Sequence, residues 1–141
     1  MFSREKGGRY VILDRMEKWI GRWGPAVFFM LFIFGASATP GSALPKFGAW
    51  DFVVKKGGHL LGYALLSAAY FRALDKGKGF RPSQFLASLS LTILYAASDE
   101  FHQRFTPGRN ASPWDVGIDT IGGLAGLTIL YLARMRSRDA P

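Results

Sequence analysis

The chain is 141 residues long, 49% apolar and 15% aromatic, so it is one domain at most and holds more apolar surface than a soluble chain of its size readily buries. It has no cysteine, which excludes disulfides, thiol nucleophiles and Cys-ligated metals and leaves the compartment unspecified by redox chemistry. The net charge of +8 does not point to nucleic acid, because the basic residues flank apolar blocks and do not line one face of a soluble fold.

Residues 1–23 form a basic segment that contains Trp19 and Trp23, both suited to a membrane interface. The first apolar block follows, "GPAVFFMLFIFGASA", Gly24 to Ala38. The basic lead, the block and the small residues Ala36 to Ala38 also fit a secretory leader with an A-x-A cleavage site, although the charged lead is long for one. The second block is "GHLLGYALLSAAYFRAL", Gly58 to Leu74, and the third is "SQFLASLSLTILYAAS", Ser83 to Ser98. Trp114 precedes the fourth, "VGIDTIGGLAGLTILYLA", Val116 to Ala133, and residues 134–141 are a basic tail. Each block approaches the roughly 20 residues that span a hydrocarbon core. Backbone groups in lipid must be satisfied within the segment, so each is expected to be a helix. The expected architecture is all-α: a bundle of four transmembrane helices over 24–133. Gly58-x-x-x-Gly62 and Gly122-x-x-x-Gly126 offer faces on which helix backbones can approach closely, within the chain or between copies in a homo-oligomer.

Orientation follows from Lys and Arg in the flanks. Thirteen lie before block one, between blocks two and three, and in the tail, whereas only Lys46, Lys55, Lys56, Arg104 and Arg109 lie on the other side. Both termini are therefore expected in the cytoplasm. The start of block two, the end of block three and the start of block four then meet at the outer boundary, which is where the conspicuous polar residues are.

At about 100° per residue, three polar stripes emerge. Lys56, His59, Tyr63, Ser67 and Tyr70 share one. Ser88, Thr92, Tyr95, Asp99 and His102 share a second, with Gln103 near its edge and Glu100 pointing away. Asp115, Asp119, Gly122 and Gly126 share a third. Polar groups facing lipid are costly, so the stripes are expected to turn inward and form a pocket or a hydrogen-bond network. Bland readings stand beside this one. Lys56 can snorkel to headgroups, His59 can simply bond a neighbouring helix, and Asp99 with Glu100 can mark a solvated helix end, the reading favoured for Glu100. Thr106-Pro107-Gly108-Arg109 reads as a turn, with Arg109 directed to lipid phosphate or to Asp115.

"KKGGHLLGYALL", "SDEFHQRFTPGR" and "SPWDVGIDTIGGLAG" together resemble the VanZ-like family of small bacterial membrane proteins, over about residues 55–130. The middle motif, Asp99-Glu100-x-x-Gln103-x-Phe105-x-Pro107-Gly108-Arg109, is the specific one. Two positions depart from the family pattern. Lys55 stands where an Asp usually precedes the lysine, which removes an Asp–Lys pair. Asp119 stands where an Asn is usual, which adds a carboxylate. The resemblance implies a polytopic protein of the bacterial cytoplasmic membrane. The family's founding members are associated with low-level teicoplanin resistance in Gram-positive bacteria.

Three functions compete. In the first, an outward pocket binds an anionic lipid headgroup or a lipid-linked envelope precursor. Lys56, His59 and Arg109 contact phosphate there, and Asp99, Asp115 and Asp119 hold those cations. In the second, His59 or His102 acts as a base near Asp99 or Asp119, with or without a metal on His and carboxylate ligands. No H-E-x-x-H run or Ser nucleophile elbow supports it, and no cofactor or resident metal is expected. In the third, the stripes are interhelical glue without a ligand.

Overall fold

All four apolar blocks become helices in the computed structural model, which describes residues 3–75 and 80–138, with side chains described from Ile12 to Asp75 and from Phe80 to Ser137. They lie in α1 (Ser3–Ala38), α2 (Asp51–Leu74), α3 (Pro82–Gln103) and α4 (Pro113–Arg138). Among the described residues there is no strand, and single 3₁₀ turns at Gly41–Ala43 and Gly48–Trp50 join α1 to α2. Pro82 and Pro113 each open a helix, where the missing N–H would have had no intrahelical partner. α1 starts well before its apolar block, and its early turns carry an Asp14–Lys18 ion pair at 2.7 Å. The basic side chains of Arg4, Lys6, Arg9 and Arg138, residues Lys76 and Lys78, and the end of the tail (139–141) lie outside what is described.

Ile12–Ala38, with mean hydropathy 1.4, and Pro113–Ser137, with 1.6, are long and apolar enough to cross a membrane. α2 and α3, at 24 and 22 residues, have the length but not the same apolarity. Their inward stripes of Tyr, Ser, Thr, His and Asp lower it. The distribution of polarity is inverted relative to a water-soluble bundle. Phe28, Phe32, Leu61, Leu94, Ile121 and Ile129 stand exposed on the outside, while Ser37, Ser67, Ser88, Thr92, Asp99 and Asp119 are buried. An apolar exterior around a polar-stitched interior is what lipid as solvent selects.

The interior holds Ala26, Ile33, Tyr63, Leu66, Tyr70 and Ala96. α2 and α4 make the closest packing. A side chain at Gly122 would collide with the backbone of Leu60, and one at Gly126 with that of Ala64. The contact is stitched by Ser67, whose hydroxyl donates to the Gly123 carbonyl at 2.8 Å. The Gly122-x-x-x-Gly126 face is therefore packed against α2 within the chain. Gly62 meets the Ile33 side chain, and only Gly58 of the other motif faces open space.

Candidate functional site: a polar pocket at one end of the bundle

The three polar helix ends are brought together by two links. The Gly41 N–H donates to the Pro107 carbonyl at 3.0 Å, tying the α1–α2 link to the turn after α3. Gly41 and Gly108 approach so closely that a Cβ on Gly41 would overlap the Gly108 backbone. Gly108 also adopts φ +72°, which disfavours any side chain there. The expected turn at Thr106–Arg109 is present, closed by the Arg109 N–H on the Thr106 carbonyl at 3.2 Å.

Under these links lies a partly open cavity of about 200 Å³. Lys56, His59, Glu100, Gln103, Arg109, Asp115 and Asp119 line it, together with Lys55 and Asn110. Tyr63 and Asp99, the other two candidate residues, are buried and do not line it.

The charges are largely matched from within. Lys56 forms an ion pair with Asp115 across α2 and α4, with both side chains partly exposed. Lys55 bridges to Asp51 at 2.7 Å. His59 Nδ1 stands 3.6 Å from Asp119, whose other oxygen is buried without a hydrogen-bond partner. The His59 ring also stacks on Tyr63, with centroids 6.2 Å apart.

Beside the cavity lies a closed network. Asp99 Oδ2 accepts from the Ser37 hydroxyl at 2.7 Å, the Gln103 amide at 3.1 Å and the Tyr63 hydroxyl at 3.3 Å. Its Oδ1 has no partner and is buried. Tyr63 therefore couples the two sites, since it touches His59 with its ring and Asp99 with its hydroxyl.

One expectation is corrected and one alternative is removed. Glu100 is not a solvated helix end: it is 5% exposed and accepts the Ser112 N–H, because the link to α4 folds back over the end of α3. Arg109 lines the cavity but does not pair with Asp115. Its guanidinium donates to the carbonyls of Thr39 and Ala36 and so satisfies backbone at the end of α1. His102 stays on its stripe, whose Tyr95 and Asp99 also meet α1, and its ring lies 4.6 Å from that of Phe34. Ser37 was not singled out from the sequence, being one small residue in a leader-like run; Lys55 was read only as a departure, and Asn110 carried no signal.

Among the described residues, no group of three or more His, Cys, Asp or Glu is placed to hold one metal ion. A metal at His59 and Asp119 would rest on fewer than three protein ligands of these types.

No curated protein and no solved structure matches the chain. The VanZ/LLP1 family model matches residues 16–134, nearly the whole helical bundle and all of the pocket residues. Two helices fit to cross a bilayer, an apolar exterior and this match together point to a membrane protein. The chain belongs to the VanZ/LLP1 family.

Proposed function

We propose that the protein spans the bacterial cytoplasmic membrane with all four helices, keeps both termini in the cytoplasm, and binds the phosphate-bearing headgroup of a membrane lipid or lipid-linked envelope precursor in its outward pocket. The observation that carries this reading is the gathering of Lys55, Lys56 and His59 around one cavity at the polar end of the bundle. The exposed apolar side chains would hold acyl chains alongside. At about 200 Å³ the cavity is smaller than the roughly 300–1,000 Å³ typical of drug-sized ligands. It suits a headgroup and is too small to enclose a glycopeptide. A link to teicoplanin resistance, as the family suggests, would then run through the envelope lipid or precursor and not through capture of the drug.

Native mass spectrometry of the detergent-purified protein tests this. The wild type should retain lipid, and a Lys56→Ala/His59→Ala double variant should lose it while keeping its helix content and melting temperature. Equal retention by both rejects the reading.

One observation favours a second reading. His59 is oriented by a buried carboxylate and borders the cavity, as a general base would be. The intramembrane-enzyme reading predicts that purified protein consumes added phospholipid and that His59→Gln stops it. Lipid that stays intact on prolonged incubation removes this reading.

A further inference from the structure

The two lysines and His59 of the pocket already face carboxylates, and Arg109 is the pocket cation with no carboxylate partner among the described residues. Lys56 is matched by Asp115, Lys55 by Asp51 and His59 by Asp119, and the Arg109 guanidinium is turned to backbone carbonyls. The cavity wall carries Glu100, Asp115 and Asp119 as well as the lysines. A purely anionic headgroup has to draw Lys56 away from Asp115. That leaves a carboxylate unpaired beside the incoming phosphate, with two more carboxylates nearby. A headgroup that carries both charges avoids this. Its phosphate takes Lys56, its ammonium takes Asp115, and one ion pair is exchanged for two without adding net charge to a partly desolvated site. The exchange is open because the Lys56–Asp115 pair is only partly buried, with 31% and 18% of the side chains exposed, and partly exposed ion pairs contribute little to stability. Asp119 strengthens the preference at the cavity's inner wall: it is 1% exposed, and its Oδ2 has no hydrogen-bond partner.

The geometry points to a zwitterionic headgroup, a phosphate carrying a primary amine, bound with its phosphate at Lys55 and Lys56 and its ammonium at Asp115 and the neighbouring carboxylates. This rests on the headgroup reading above and narrows it to one chemical class.

The test presents the purified protein with equal amounts of phosphatidylethanolamine, phosphatidylglycerol and phosphatidic acid of the same acyl chains, and reads retained lipid by native mass spectrometry. The wild type should favour phosphatidylethanolamine by about tenfold, the ratio expected for one added charge-assisted contact. Asp115→Asn should erase that preference or reverse it toward the anionic lipids, and Asp115→Glu should restore it. Lys56→Ala should weaken all three, with melting temperature confirming that each variant folds. Soluble phosphoethanolamine should displace the bound lipid, and bound lipid that it does not displace overturns the assignment. Preferential retention of phosphatidylglycerol or phosphatidic acid, still sensitive to Lys56, overturns the zwitterion and leaves the headgroup reading standing. Retention of no lipid, or retention that Lys56→Ala does not alter, overturns both.

Discussion

Two polar clusters sit side by side at the same end of this bundle and differ in how they are finished. Around Asp99, three donors from α1, α2 and α3 converge on one carboxylate oxygen, and the whole group is sealed from solvent. Around Lys56 and Asp115 the groups pair two by two, stay partly exposed and border a cavity. The first arrangement holds helices in register. The second leaves charges free to exchange partners. Family membership does not separate these roles, but solvent access and the number of donors on one carboxylate oxygen do.

Substitutions can break that contrast, and the largest effect lies outside both clusters. Gly126→Leu forces a side chain into the α2 backbone at Ala64 and should cost about 3 kcal/mol or more, enough to lose folded protein in detergent thermal melts. Both clusters would be lost with it. Asp99→Ala should cost about 1–3 kcal/mol by stranding buried donors, seen as a lower melting temperature, while the lysine pairs at the cavity persist. Lys56→Ala should do the reverse: lipid retention falls, and stability changes by about 1 kcal/mol or less. An Asp99 variant that loses lipid without losing stability would merge the two clusters into one site. Smallest of all, Asp51→Asn should leave melting unchanged and release Lys55 from its only ion pair among the described residues, which slightly raises retention of phosphate-bearing lipid.

The fold was largely legible in the sequence, but this contrast was not, because helical phase alone groups Asp99 with Asp115 and Asp119 around the pocket cations. Four apolar blocks gave four helices because lipid-compatible backbone has few alternatives. Helical phase put Tyr63, Ser67, Thr92, Asp99 and Asp119 inside, and all five are buried. What phase cannot see is the loops. Glu100 points away from its stripe, yet the 104–112 link covers it. Phase also could not show that the Arg109 guanidinium reaches carbonyls at the end of α1 and not Asp115. Ser37 belonged to a run that read equally well as a leader, and its role needs the tertiary meeting of α1 with α3. The Gly122-x-x-x-Gly126 spacing announced a close helix contact but could not say whether the partner helix was in the same chain.

The absence of cysteine makes one measurement especially clean. A single Asn110→Cys substitution places a thiol at the rim of the cavity, and Ser137→Cys places one at the far end of α4. Intact spheroplasts treated with a membrane-impermeant maleimide should label position 110 and not position 137, and added phosphoethanolamine should slow labelling at 110. Labelling of 137 from outside, or of 110 only after permeabilisation, would contradict an outward-facing headgroup pocket.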